Sequence, residues 1–305
     1  MEVLYGLLAS SDGPCALALG NFDGIHPGHR KVLSLALQSG GLKPAVLTFD
    51  LEPPDGWIFS QKRKISILES MGFERMYLLH FASVRDMTAK EFVDALSESC
   101  RVKKACCGFN FTFGSGGKAG SAELQKLCAE RGMEAAVAEP VLWEGAPVSS
   151  SRVRGLIGEG RVEEASRLLP CPFGYESPVL PGRRLGRRLG APTLNQALPD
   201  HLVKPKFGVY VSAVYFGGNA YAGVTNVGVR PTVGSNTALA ETWMPEYRGG
   251  DLYGRTARVD LLRFLRPEIR FPNLKDLKEA ILGDGKKAEE YFKKNAIPRP
   301  FPDFF

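Results

Sequence analysis

A chain of 305 residues, 44% hydrophobic and with a formal net charge of +6, can bury a sizeable core and has room for two domains. Its 24% charged and 10% aromatic residues are ordinary for a globular protein, and no repeat or low-complexity tract argues for a fibrous or disordered one. The opening MEVLYGLLASSDG lacks the basic stretch and long apolar run of a secretory leader, and no apolar run approaches the ~18 residues of a membrane span. Strands and helices then alternate. CALALG (Cys15 to Gly20) reads as a buried strand, HRKVLSLALQSG as a helix stopped by Gly40-Gly41, PAVLTFD as a strand, ISILESMG as a short helix and RMYLLHF as a strand. TAKEFVDALSES is an amphipathic helix capped by Thr88. KKACCGFNF is a strand running into a loop, SAELQKLCAERG a helix and EAAVAEPVLW a strand. Strand and helix at this spacing predict a parallel sheet covered by helices.

The pattern changes after a helical linker, SSRVRGLIGEGRVEEASRLL. From about Phe173 the segments FGVYVSAVYFGG, NAYAGVTNVGV and RTARVDLLRFL read as short strands punctuated by glycine and proline, the grammar of a small barrel. One helix follows, from NLKDLKEAILGD to YFKK. The expected boundaries are a first domain over 1–157, a linker over 158–172 and a second domain over 173–305. The six cysteines (15, 100, 106, 107, 128 and 171) form no C-x-x-C pair. They are expected as buried free thiols in a reducing cytoplasm rather than as zinc ligands.

Two stretches carry chemistry. GNFDGIHPGH (Gly20 to His29) follows a strand and opens a helix, where free N–H groups and the helix dipole make an anion site. Gly20 and Gly24 allow close backbone approach, and Pro27 suits a first helical turn. His26 and His29, three residues apart, then project from that turn and can donate to phosphate. A zinc pair and unspecific surface histidines are the plainer alternatives. VSSSRVRG adds the hydroxyls of Ser149, Ser150 and Ser151 and the guanidinium of Arg154. These read either as helix caps or, with the upstream motif, as a triphosphate clamp.

The second stretch is PGRRLGRRLGAPTLN. Its arginines suit a nucleic-acid patch or a solvated loop, but Gly182, Gly186 and Gly190 also suit a polyphosphate wrap. Thr193 and Asn195 offer hard oxygen donors for Mg²⁺. It is no P-loop, because G-K-[ST] is absent. Glu241 stands in an apolar-aromatic run, AETWMPEY, as a surface strand acid or as a base for a substrate hydroxyl.

GNFDGIHPGH, GFNFTFG (Gly108 to Gly114) and SSSRVR (Ser149 to Arg154) resemble, in order, the motifs of the H-x-G-H nucleotidyltransferases, and more narrowly the FMN adenylyltransferase half of the prokaryotic bifunctional riboflavin kinase/FMN adenylyltransferase family. GRRLGRRLGAPTLN, NVGVRPT, ETW and DLYG resemble its riboflavin kinase half. Ser151 replaces the usual threonine, Trp243 the usual histidine and Leu194 the usual alanine, while TFDLEPP (Thr48 to Pro54) lacks the family's histidine. The resemblance implies an α/β parallel-sheet (Rossmann-like) nucleotidyltransferase domain, then a small antiparallel β-barrel kinase domain with a C-terminal helix. It implies a Mg²⁺-dependent kinase making FMN from riboflavin and ATP, and an adenylyltransferase making FAD and pyrophosphate from FMN and ATP. On the matching positions it implies catalytic roles for Glu241, His26, His29 and Arg154. It implies nucleotide contacts from Gly20, Phe22, Asp23, Gly28, Asn110, Ser149, Ser150, Ser151, Gly182, Gly186, Gly190, Thr193 and Asn195, with Thr193 and Asn195 also at the metal. Neither nucleic acid nor membrane is expected as a partner. The rival readings are a monofunctional riboflavin kinase with a weakened first domain and a non-catalytic flavin-binding regulator.

Overall fold

The computed structural model describes residues 1–8, 13–182, 191–229 and 238–298. They form two compact units, one from Met1–Pro53 and Gln61–Ser150, the other from Pro54–Ser60 and the described residues from Ser151 on.

The first unit is built on strands β1 (Glu2–Tyr5), β2 (Cys15–Leu19), β3 (Lys43–Phe49), β4 (Arg75–Leu79) and β5 (Val102–Gly108). A small hairpin follows, β6 (Thr112–Phe113) with β7 (Ala119–Gly120), and then β8 (Glu134–Ala138). Six of these make a parallel sheet in the order β1-β4-β3-β2-β5-β8. Every residue of β2 is buried, as expected where helices cover both faces of a parallel sheet. The crossovers carry α1 (Pro27–Leu37), α2 (Gln61–Ser70), α3 (Ala89–Glu98) and α4 (Ser121–Glu130). α1 turns Val32, Leu33 and Ala36 inward. α3 opens with a reciprocal capping box, in which Thr88 and Glu91 satisfy each other's backbone N–H.

The strand order decides where a ligand can sit. From β2 the chain moves out to β3 and β4, then returns to β5 on the other side of β2. The loops leaving the carboxyl ends of β2 and β5 therefore diverge and open a crevice at the topological switch point. Those loops carry GNFDGIHPGH and GFNFTFG.

Two details differ from the expectation. β1 was not foreseen; four residues pairing only with β4 carry too little periodicity to read. EAAVAEPVLW is not one strand. β8 stops at Ala138 before Pro140, and Leu142–Trp143 (β9) forms its own hairpin with Ala146–Pro147 (β10).

In the second unit, helices α5 (Ser150–Gly158) and α6 (Val162–Leu168) are separated at Gly160, whose φ of 82° ends the first. The barrel strands are β11 (Gly174–Pro178), β12 (Thr193–Ala197), β13 (Gly208–Phe216), β14 (Asn219–Val229), β15 (Ala238–Trp243) and β16 (Thr256–Arg266). They are antiparallel in the order β11-β16-β13-β14-β15-β12. The two end strands meet where the Leu180 N–H donates to the Asn195 carbonyl at 2.7 Å, so the six-stranded sheet comes close to closure. β11 and β12 were not foreseen as strands, because polar residues interrupt their apolar alternation.

α7 (Leu274–Lys294) starts at Asn273, whose side chain accepts the Asp276 N–H at 2.9 Å. Its Ala288, Tyr291 and Phe292 join Val209, Val211, Ala213 and Leu262 in one apolar cluster. Gly285 lies against the Trp243 ring, and a Cβ there would fall 2.6 Å from it.

Candidate active sites

The first unit holds a cavity of about 490 Å³ at the switch point. Gly20, Asn21, Phe22, His26, Gly28 and His29 form its floor, with Asn110, Ser149 and Ser150 also on its wall. His26 is the N-cap of α1, and its Nδ1 accepts the His29 backbone N–H at 3.3 Å. Accepting that bond leaves Nδ1 without a proton, so the neutral ring carries its proton on Nε2. Burial, then the nearby Arg30 charge, pushes the His26 pKa down to about 4. His26 is therefore a hydrogen-bond donor and not a cation at neutral pH. The His29 ring stacks on it at 3.7 Å, and the Phe22 edge meets His29 at 5.4 Å. A Cβ on Gly28 would lie 3.2 Å from His26 Cε1, which explains the glycine.

The loop that places these rings is strained. Phe22 and Ile25 hold φ of 49° and 46°, beside Gly24 at 80°. A positive φ at a bulky or β-branched residue costs about 1–3 kcal/mol and persists only when its surroundings over-determine it. Several contacts do so. Ser150 Oγ donates to the Asp23 carbonyl at 2.8 Å. Thr48 Oγ1 donates to the Asn21 carbonyl at 2.9 Å, and the Lys64 ammonium donates to the same carbonyl at 3.2 Å. Lys64 is 1% exposed, and sequence reasoning missed it. A lysine on a helix reads as a solvated residue, and nothing in the local pattern said otherwise. Asp23 is itself buried and is not among the residues lining the cavity.

Ser151 and Arg154 group with the second unit, where Arg154 Nε donates to the Gly56 carbonyl at 2.9 Å. Around the cavity of the first unit stand Phe49, Leu51, Phe81, Phe109 and Phe111, with Leu51, Phe81 and Phe109 notably exposed for large apolar side chains. Groups able to bind phosphate thus share one cavity with an apolar-aromatic wall.

The second unit has its own cavity, about 200 Å³, lined by Thr193, Asn226, Glu241 and Trp243 of the barrel and by Leu277, Ile281 and Asp284 of α7. Strand register assembles it. Asn195, Glu241 and Asn226 are direct cross-strand neighbours on β12, β15 and β14, and Thr193, Trp243 and Val224 form the parallel row two residues on. Period-two alternation puts both rows on one face of the sheet. Thr193, Asn195 and Glu241, 48 residues apart in sequence at the extreme, thereby become a single cluster. Gly182 packs on Asn195 so closely that a Cβ would fall 2.3 Å from its Nδ2. Gly186 and Gly190 lie outside the described residues. Sequence reasoning missed Asn226, whose Nδ2 donates to Glu268 at 3.1 Å, and the buried Asp284, which Arg266 pairs at 2.8 Å.

A helix-start phosphate cradle beside an apolar wall in one unit, and an apolar barrel cavity edged by Thr, Asn and Glu in the other, define a nucleotide-dependent transferase with two sites. Comparisons with known proteins agree. A riboflavin kinase family model matches residues 169–292, and an FAD synthetase family model matches residues 8–152. The bifunctional riboflavin kinase/FMN adenylyltransferase of Bacillus subtilis is 31% identical, with the alignment covering 94% of this chain and 96% of its own. Its Escherichia coli K12 counterpart is 32% identical, covering 96% and 98%. A crystal structure described as a macrolide-efflux protein from Streptococcus pneumoniae superposes with a TM-score of 0.87 at 29% identity, over 95% of this chain and 99% of that one. The chain belongs to the bifunctional riboflavin kinase/FMN adenylyltransferase family. It is an ATP-using enzyme of flavin cofactor biosynthesis with both activities.

The six cysteines are free and buried, as expected. Burial lifts the Cys15 thiol to about 11, so it is inert. Among the described residues no helix is long and apolar enough to cross a membrane.

Proposed function

We propose that the two activities divide along the chain, with FMN adenylyltransferase in residues 1–157, a helical linker over 158–172, and riboflavin kinase in residues 173–305. The positions of the two family matches support this division. In the first cavity, ATP phosphates lie over the start of α1, and the FMN phosphate attacks the α-phosphorus and displaces pyrophosphate. No covalent nucleophile is needed, because that phosphate is already anionic. His26 Nε2–H and His29 donate to the charge developing on phosphorus and on the leaving pyrophosphate. Gly20, Phe22 and Gly28 form the floor, while Asn110, Ser149 and Ser150 contact the nucleotide from the wall. Asp23 acts from beneath the loop. Exposed Phe81 and Phe109 suit a planar aromatic ring.

In the barrel cavity the riboflavin 5′-hydroxyl attacks the γ-phosphorus of a second ATP and displaces ADP, while Glu241 orients that hydroxyl and takes its proton. The Thr193 hydroxyl and the Asn195 amide oxygen, packed against Gly182, are hard neutral donors that suit Mg²⁺ carried in by nucleotide phosphates. When bound, the ion supplies charge neutralisation to the transferring phosphoryl group. The partners are riboflavin, FMN, FAD and ATP, with neither nucleic acid nor membrane. Six buried thiols suit a reducing cytoplasm.

The observation that carries this reading is the cross-strand row Asn195–Glu241–Asn226, of which Glu241 and Asn226 line the barrel cavity, together with a separate histidine cradle in the other unit. The test is chromatography of flavins made from riboflavin and Mg·ATP. His29→Ala abolishes FAD formation and leaves FMN formation near normal. Glu241→Gln lowers kinase kcat by ~10²–10⁴-fold, yet FMN supplied directly still becomes FAD. Loss of both activities in either folded variant refutes the separation.

A further inference from the structure

The reading above leaves unexplained why a lysine is buried under the phosphate loop. Lys64 is 1% exposed on α2, and its Nζ donates to the Asn21 carbonyl at 3.2 Å and to Thr48 Oγ1 at 3.1 Å. Thr48 Oγ1 in turn donates to the Asn21 carbonyl at 2.9 Å. One carbonyl thus receives two hydrogen bonds from below, one of them from a cation. Burial pushes the Lys64 pKa down to about 8, and the buried Asp23 carboxylate beside it offsets part of that fall, so the ammonium stays mostly charged at neutral pH.

A planar trans peptide points its C=O and the following N–H in opposite directions. With the Asn21 oxygen drawn down to Lys64 and Thr48, the Phe22 N–H faces the other way, and both Asn21 and Phe22 line the cavity. Among the described residues no acceptor takes that N–H. This peptide also begins the strained turn, since Phe22 holds a φ of 49°.

We infer that Lys64, with Thr48, is a positioning residue for adenylyl transfer, fixing the Asn21–Phe22 peptide so that the Phe22 N–H donates to an ATP phosphate. Lys64 does not touch substrate. It acts through the peptide it orients, and its charge adds to the favourable field for the anion. The inference rests on ATP phosphates occupying the first cavity.

The test uses the full chain with Lys64→Met and Thr48→Val, neither of which the kinase site requires. FAD formation from FMN and Mg·ATP is measured for kcat and for the KM of each substrate, with FMN formation from riboflavin as the control for folding. A lost charge-assisted donor predicts a fall of about 10- to 100-fold in kcat/KM for ATP in Lys64→Met. Thr48→Val shows a smaller fall in the same parameter, and the KM for FMN is unchanged in both. A merely structural lysine would lower the melting midpoint of the first unit and shift the parameters for both ATP and FMN alike, and that result overturns the inference. Should Lys64→Met fail to fold, Thr48→Val alone decides by the same parameter. His29→Ala separates the two layers. If it loses FAD formation while Lys64→Met and Thr48→Val match wild type, the cavity assignment stands and the role of Lys64 falls. If FAD formation survives His29→Ala, the cavity assignment falls and this inference with it.

Discussion

Gly28→Ala tests how tightly the histidine cradle is set. The added methyl would lie 3.2 Å from His26 Cε1 and 3.3 Å from Nδ1, against an ordinary carbon contact of about 3.5–4.0 Å. The ring must therefore give by a few tenths of an ångström, although it is already stacked on His29 at 3.7 Å and bonded to the His29 N–H. The stability terms oppose one another. Alanine in a helix gains about 0.5–1 kcal/mol over glycine, and a weakened cap loses a similar amount. The net change is about 1 kcal/mol or less, so the thermal midpoint moves by only a few degrees. Activity is less forgiving. A misplacement of about 1 Å costs about 10²-fold, so a shift of a few tenths lowers FAD formation by roughly 10-fold. The assay is FAD from FMN and Mg·ATP by chromatography, with riboflavin phosphorylation in the same preparation and the melt by circular dichroism. FAD formation within about twofold of wild type would show that the ring's position does not govern the rate.

Two more expectations concern pH and the barrel. Because the His26 pKa falls from 6.5 free to about 4 folded, the unfolded chain binds more protons between those values. The stability from a neutral His26 is fully present above about pH 6.5 and is lost as pH falls toward 4; urea midpoints across that range should show a shallower acid slope in His26→Asn, and identical slopes would contradict a ring held neutral. Gly285→Ala places a methyl 2.6 Å from the Trp243 ring and should lose about 1–3 kcal/mol, whereas Gly283→Ala meets nothing within 4 Å and should gain about 0.5–1 kcal/mol, so melts that move both variants the same way would refute the packing described.

Much of this was legible because it is local. GNFDGIHPGH declares a helix start, a phosphate cradle and two histidines within ten residues, and the strand-helix alternation around it declares a parallel sheet. Thr88 and Asn273 mark helix starts in the same local way. What escaped depends on residues distant in sequence. Lys64 becomes a buried donor only because β2, β3 and α2 bring Asn21 and Thr48 to it. Asn226 joins Glu241 through strand register, which no hydrophobic pattern announces when both strands carry polar residues inward. Asp284 reads as a solvated helix acid until Arg266 of β16 reaches it.

The glycine contact between α7 and Trp243 bears on how the two walls of the barrel cavity are held. Glycines at 283 and 285 cost the helix about 2 kcal/mol of intrinsic propensity relative to alanine, so α7 is held in place chiefly by the barrel it covers. The same helix contributes Leu277, Ile281 and Asp284 to the cavity wall. The pocket is thus half rigid and half conditional: one side is a hydrogen-bonded ladder, the other a single helix held by side-chain packing. A perturbation that loosens α7 therefore reshapes one wall of the cavity while the ladder keeps Glu241 and Asn226 in register on the other.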